Sequence, residues 1–408
     1  MALFQYVALF LGTHGILAPP TDNFLISGPQ ARDKYFDIQG HRGGRGKTVE
    51  NTLPSFAWGL IDGSTTLELD NGITKDGVVV VWHDENVVAE KCKDTEPAVI
   101  FWGSRLSDGV VVVWHDENIV AEKCKDTEPT FSGDPDFPYV GKYIANLTFA
   151  QLRTLDCGAL RQEDYPLQLT YPGTKISTLQ ETFDFVSCAD PNRQILWNIE
   201  SKIDPIFPDR TKGVQEFVQK QQELFEKSGY KNSITYQSFD WRTLSEMKNL
   251  DPSIITSALI DDETALHPTN ASLPSPWLGG IDLSSFPGPS TGEKVAQAAH
   301  ALGADILSPS AQSFQTPVPD PSMQGYMPFT SSEMVREAHR LGLDVKVWTV
   351  NRLNIVEQLM SWDVDGIITD YPGDVRRWAQ QQEVPVAPKY PKQRVLSCLE
   401  KHLALQRL

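Results

Sequence analysis

The chain has 408 residues, 40% hydrophobic and 22% charged, enough for one large barrel or two ordinary domains with a substantial core. Its 53 acidic side chains outnumber 36 basic ones, and the formal charge of -17 repels nucleic acid and anionic lipid, so no nucleic-acid partner is expected. The same acidity suits a protein that concentrates divalent cations.

In chain order, MALFQYVALFLGTHGILA at residues 1–18 is uncharged, apolar around Val7 to Leu11, and ends in Ala18 before Pro19-Pro20. It reads as a signal peptide, although it lacks the usual basic leading residue; the alternative is an apolar tail packed on the fold. It is too short and interrupted to span a bilayer, so no stable membrane insertion is expected. Two glycosylation sequons, at Asn146 and Asn270, also fit a secreted or extracellular glycoprotein.

From there short β-branched or aromatic runs alternate with amphipathic stretches, the pattern of βα units on a parallel sheet. Strands are expected at Phe36 to Gly40, Thr65 to Asp70, Ile195 to Glu200, Ile234 to Ser238, Ile254 to Leu259, Asp305 to Ser308, Asp344 to Val350 and Gly366 to Asp370. Helices are expected at Thr211 to Ser228, Trp241 to Asn249, Gly292 to Leu302, Ser331 to Leu341 and Leu353 to Trp362, three of them closed by Gly229, Gly303 or Gly342. Eight strands, with HRGGRG rather than GxGxxG after the first, favour a closed (β/α)8 TIM barrel over an open doubly wound sheet. The barrel is expected over residues 36–378, with 379–408 as a C-terminal tail.

Roughly 125 residues separate the second and third strands, far more than a usual βα connection, so a large insertion at about 71–194 is expected on the catalytic face. It holds a tandem-duplicated segment: DGVVVVWHDENVVAEKCKDTEP from Asp76 and DGVVVVWHDENIVAEKCKDTEP from Asp108, differing only at Val87 and Ile119. One copy is expected to be surplus, tolerated because loop-closure entropy grows only logarithmically with length. A second long connection, Asp261 to Thr291, reads as a lid or rim loop. The five cysteines form no CxxC pair, which leaves zinc unsupported; one disulfide is expected, Cys157 with Cys124 or Cys92.

Catalytic groups of such barrels sit at the C-terminal ends of strands. The first strand ends in His41-Arg42, and the second in Glu68-Leu69-Asp70, whose period of two puts both carboxylates on one face. The third delivers Asn198, Glu200 and Lys202, the seventh Trp348 and the eighth Asp370. Three oxygen donors without a nearby Cys point to one divalent cation, Ca²⁺ or Mg²⁺.

These residues lie in a run, HRGGRGKTVENTLPSFAWGLIDGSTTLELDNGITKDGVVVVWHD, that resembles the signature of glycerophosphodiester phosphodiesterases, and the resemblance continues through 176–181, 198–202, 236–240, 347–351 and 366–372. It implies the barrel fold, a divalent cation, and hydrolysis of a small-molecule glycerophosphodiester to an alcohol and glycerol 3-phosphate. It further implies that His41 and the histidine of the His-Asp segment form the acid/base pair and that Glu68, Asp70 and Glu200 hold the metal. Arg42 and Lys202 would neutralise the phosphate, and Trp348 would pack on the glycerol or shape the pocket. Of the duplicated histidines, His83 is favoured over His115, because the Lys75-Asp76-Gly77 turn ties its strand to Asp70. The alternatives are a phospholipase or lyase acting on lysolipid or sphingolipid head groups, with Trp277, Leu278 and Phe286 as an apolar rim, and a chain impaired by its duplication.

Overall fold

The computed structural model describes residues 35–77, 79–80, 112–113, 119, 121, 123–268, 270, 273–315 and 318–407. In chain order these form β1 (Asp37–Gly40), α1 (Leu53–Asp62), β2 (Thr66–Ile73), β3 (Val79–Val80), β4 (Val112–Val113), α2 (Phe149–Thr154), β5 (Ser177–Thr178), α3 (Leu179–Ala189) and β6 (Leu196–Ser201). There follow α4 (Val214–Ser228), β7 (Ile234–Ser238), α5 (Trp241–Leu250), β8 (Ile255–Ile260), α6 (Asp262–Ala265), α7 (Thr291–Leu302) and β9 (Ile306–Pro309). The chain ends with α8 (Ser332–Arg340), β10 (Asp344–Val347), α9 (Leu353–Met360), β11 (Gly366–Thr369), α10 (Pro372–Gln381) and α11 (Lys392–Leu405).

All eight expected barrel strands are present. They pair in parallel in the order β1-β11-β10-β9-β8-β7-β6-β2, and β1 pairs with β2 to close the barrel. Local signals set the helix ends: Thr52 caps α1 by accepting from Ser55 N, Thr178 and Glu181 form a capping box on α3, and Gly229 and Gly303 take the left-handed conformation that ends α4 and α7. Between the strands and the outer helices lies an apolar layer that includes Phe56, Leu67, Leu69, Trp197, Ile199, Tyr236 and Ile367.

Inside the barrel the filling is partly polar. Lys346 Nζ lies 2.7 Å from Asp37 Oδ2, and Gln39 donates to the same oxygen at 2.7 Å. Asn198 donates to Gln39 Oε1 and Gln237 Oε1, at 2.7 and 2.9 Å, and Gln237 donates onward to Glu68 at 3.0 Å. This column runs from the barrel floor to the catalytic face, and each of these contacts offsets part of the desolvation cost of the buried polar groups it joins.

Where the insertion begins, β2 runs past its barrel neighbours. Lys75-Asp76-Gly77 makes the expected turn, with Gly77 at a φ of 79° and its N–H donating to Thr74 O. β3 then pairs with β2 antiparallel, Val80 facing Gly72, and β4 also pairs with β2 antiparallel, Val112 facing the same Gly72. The corresponding residues of the two copies therefore flank one rung of β2. His83 and His115 lie outside the described residues.

Two disulfides are present where one was expected: Cys124–Cys157, within the insertion as anticipated, and Cys188–Cys398. The second pins α11 to α3, so the C-terminal segment expected as a tail is an ordered helix with Val395, Cys398 and Leu399 buried. No helix among the described residues is long and apolar enough to cross a membrane. Residues 1–18 lie outside the described residues.

Candidate active site

The C-terminal ends of the barrel strands surround a cavity of about 460 Å³, lined by His41, Arg42, Glu68, Glu200, Lys202 and Trp348 among others. The register explains why the acids converge. Asp70 of β2 sits opposite Glu200 of β6, and Glu68, two residues earlier, shares the inward face with Asp70. One oxygen from each of the three lies within 4.8 Å of the others, and all three residues are buried.

Burial, and then the charges of Asp70 and Glu200, raise the Glu68 carboxyl well above the ordinary range. Burial pushes Glu200 up to about 8, with Asp70 adding to the rise while Lys202 opposes it. Three crowded oxygen-donor groups of this kind fit a hard divalent cation, whose charge would offset their repulsion. Each has a fixed orientation: Glu68 accepts from Arg42 N at 2.7 Å, Asp70 accepts from Asn51 Nδ2 at 2.8 Å, and Lys202 Nζ lies 2.6 Å from Glu200 Oε1.

His41 opens a short turn that follows β1. Its Nδ1 is 2.6 Å from Asp370 Oδ1 at the end of β11, and Arg42 Nε donates to its Nε2 at 3.2 Å. That pattern is a neutral imidazole whose Nδ1–H faces the carboxylate, leaving Nε2 as the basic nitrogen. Burial and the Arg42 charge lower the His41 pKa, while Asp370 works against them. Asp370 accepts further from Tyr165 OH at 2.9 Å and Asn351 Nδ2 at 2.6 Å; although burial pushes its carboxyl up, His41, Arg45 and Asn351 hold it at about 2.

Arg42 sits in the left-handed region at a φ of 52°, a costly conformation for a non-glycine residue, of order 1–3 kcal/mol. Contacts on several sides offset that cost. Its Nη1 is 2.8 Å from buried Glu50, which also pairs with Arg45 and with Lys123 Nζ at 2.5 Å. Burial raises the Glu50 pKa, but Arg42, Arg45 and Lys123 outweigh it and hold the carboxyl well below its ordinary value.

The opposite wall is aromatic. Phe239 and Trp348 meet edge to face at 5.3 Å, Trp277 approaches Phe239 at 6.4 Å, and Phe314 lies 6.3 Å from Trp348. Lys202 Nζ lies 5.4 Å from the centre of the Phe239 ring. Of the three apolar residues expected at the rim, Trp277 lines the cavity, whereas Leu278 is buried and Phe286 is half-buried against the core.

The structure thus brings together His41, Arg42, Glu68, Asp70, Glu200, Lys202 and Trp348. Sequence reasoning placed Asp370 at a strand end without giving it a role, and it missed Glu50, Asn51, Gln237 and Asn351, although each falls within a quoted motif. Tyr165 had no signal at all, because it comes from the irregular insertion.

Comparison with known proteins follows the same lines. The sequence model of the Glycerophosphoryl diester phosphodiesterase family matches residues 41–94 and 104–374. A glycerophosphodiester phosphodiesterase of Bacillus subtilis is 22% identical over 334 residues, covering 81% of this chain and 82% of its own. A human lysophospholipase D is 53% identical, but over only 47 residues, 12% of this chain and 15% of its own. Among solved structures, an Oleispira antarctica phosphodiesterase in complex with the product sn-glycerol-3-phosphate superposes with a TM-score of 0.52 at 16% identity, covering 86% of this chain and 99% of that one.

Proposed function

This chain belongs to the glycerophosphoryl diester phosphodiesterase family and is a phosphoric diester hydrolase, and we propose that it cleaves glycerophosphodiesters to an alcohol and glycerol 3-phosphate by imidazole acid/base catalysis beside a carboxylate-held divalent cation. The observation that carries this reading is the juxtaposition of the Glu68, Asp70 and Glu200 cluster with the His41–Asp370 pair in one cavity. Glu68, Asp70 and Glu200 would hold Ca²⁺ or Mg²⁺, which when bound supplies charge neutralisation at the nonbridging phosphate oxygens.

The protein's own residues account for the rest. His41 Nε2 accepts the proton of the attacking hydroxyl, and Asp370 stabilises the imidazolium that results. The leaving alkoxide needs a proton from a second acid, and the duplicated His-Asp segment supplies that imidazole. Arg42 and Lys202 present positive charge to the diester, and the Phe239, Trp277 and Trp348 wall excludes water around the departing group.

That wall also favours a second reading of the substrate, a diester with an apolar tail such as a lysophospholipid. We further propose that the chain is exported, since two disulfides, made by four of its five cysteines, suit an oxidising compartment.

The test is hydrolysis of glycerophosphocholine and of lysophosphatidylcholine by the purified chain, with and without chelator. Expected is activity that chelator abolishes and Ca²⁺ or Mg²⁺ restores, and that is lost in Glu200→Ala. Undiminished activity in Glu200→Ala would overturn the carboxylate assignment. Higher kcat/KM on the lysolipid would move the substrate to the second reading, and no hydrolysis of either would leave a chain impaired by its duplication.

A further inference from the structure

The reaction needs one His-Asp segment and the chain carries two, so the edges of β2 decide which one can reach the site. Asn71 pairs with Ser201 of β6 on one edge and with Val113 of β4 on the other. Gly72 takes Val112 on that second edge, which leaves Val80 of β3 on the β6 side. A ladder advancing from Val80 towards Asp70 therefore meets β6 at the next rung. On the other edge β1 pairs with β2 only at Thr66 and Leu67, and the rungs at Asn71 and Gly72 are taken by Val113 and Val112 of the second copy.

Downstream anchors agree. β4 also pairs with β5, joining the second copy to the rest of the insertion. Ile119 is fully buried, donates to Lys142 O at 2.9 Å and accepts from Gly141 N at 2.9 Å. Cys124 is disulfide-bonded to Cys157, and Lys125 and Asp156 exchange backbone hydrogen bonds. Between these anchors Lys123, with a side chain only 3% exposed, places its ammonium on Glu50. The equivalent residues of the first copy, Val87, Lys91, Cys92 and Lys93, lie outside the described residues.

We propose that the second copy is the docked one and that its Lys123 is a positioning residue for the site, an inference that rests on the phosphodiesterase reading above. Lys123 holds Glu50, and Glu50 holds Arg42, whose guanidinium lines the cavity and meets His41. Removing one of the three cations lets Glu50 recentre on the remaining two and draws Arg42 from its place. Because Arg42 meets the substrate's charge, the loss appears in substrate binding more than in turnover.

Two measurements test this. Lys123→Met is expected to raise KM for glycerophosphocholine about tenfold with kcat within about twofold, since small misplacements of a positioning contact are felt strongly. Lys123→Arg should restore most of the difference, and Lys91→Met should match wild type. A KM change in Lys91→Met with none in Lys123→Met would overturn the proposal.

The second measurement needs no activity. Alkylating the native protein with iodoacetamide and digesting it with chymotrypsin distinguishes the copies, because cleavage after Trp82, Phe101, Trp114 and Phe131 gives different peptides, 83–101 and 115–131. Cys124 should be found joined to Cys157, and Cys92 alkylated. Cys92 joined to Cys157, alone or in amounts comparable to Cys124, would overturn the assignment even if Lys123→Met failed to fold. Absence of hydrolysis by wild type would defeat the phosphodiesterase reading, and the cysteine pairing would still decide which copy is docked.

Discussion

Replacing Asp370 by Asn keeps the shape of the group facing His41 and removes its charge. The substitution weakens a buried, charge-assisted hydrogen bond of 2.6 Å, of a kind that contributes about 1.5–3 kcal/mol. Without that carboxylate the imidazolium loses its buried counter-charge, so the His41 pKa should fall further below its ordinary value. The sign follows from the surroundings: Asp370 is the group that raises the His41 pKa, while burial and Arg42 already lower it. If neutral His41 is the base, kcat/KM rises with pH through its pKa, so the acid limb should move to lower pH. The plateau should fall about ten- to hundredfold, as the imidazolium formed during the reaction loses its counter-charge. The assay is a pH profile of kcat/KM on glycerophosphocholine at saturating cation. An acid limb that stays in place or moves upward would refute His41 as the base oriented by Asp370.

At the barrel floor, Lys346→Met should destabilise the protein by about 3–5 kcal/mol at pH 7, the range for leaving one buried charge without its partner. Burial raises the Asp37 pKa, but Lys346 and three side-chain hydrogen bonds bring it below the ordinary value. A depressed carboxyl contributes stability above its unfolded pKa and loses it as pH falls through the folded one. The gap between wild type and variant in urea unfolding should therefore narrow below about pH 4, and a gap under about 1 kcal/mol at neutral pH would contradict the pairing. For export, N-terminal sequencing and deglycosylation of protein from the native host should show loss of residues 1–18 and glycans at Asn146 or Asn270, both exposed; intact Met1 on unglycosylated protein would overturn it.

The barrel was legible because its strands are short β-branched or aromatic runs that alternate with amphipathic helices, several of them closed by a glycine, and such signals are local. The metal-type half-site was legible for the same reason, since Glu68 and Asp70 share a face by the period of two. Asp370 could be placed at a strand end, but its service to His41 depends on β1 and β11 becoming neighbours through closure, which no local pattern records. Tyr165 reaches Asp370 across 205 residues from irregular chain, and no periodicity points to it. The duplicated copies differ at one position, so their own sequences could not rank them. The turn argument favoured the first copy, yet both copies pair with β2, and the obstruction that separates them is Ser201 on β6, a residue far along the chain.

The polar column within the barrel also has a direction. Lys346 makes Asp37 an acceptor, so Gln39 must turn its amide nitrogen downward and its oxygen towards Asn198. Asn198 then gives a hydrogen to each neighbour, which obliges Gln237 to offer its nitrogen to Glu68. Like a row of dominoes, each amide inherits its sense from the one below. Glu68 consequently meets a donor, the arrangement a carboxylate needs if it is to remain an anion. A leucine at Gln39, Asn198 or Gln237 would fill similar space but break the row, leaving the amides above it free to rotate and the catalytic face uncoupled from its floor. Descendants of this sequence are thus constrained to change these interior residues together or not at all.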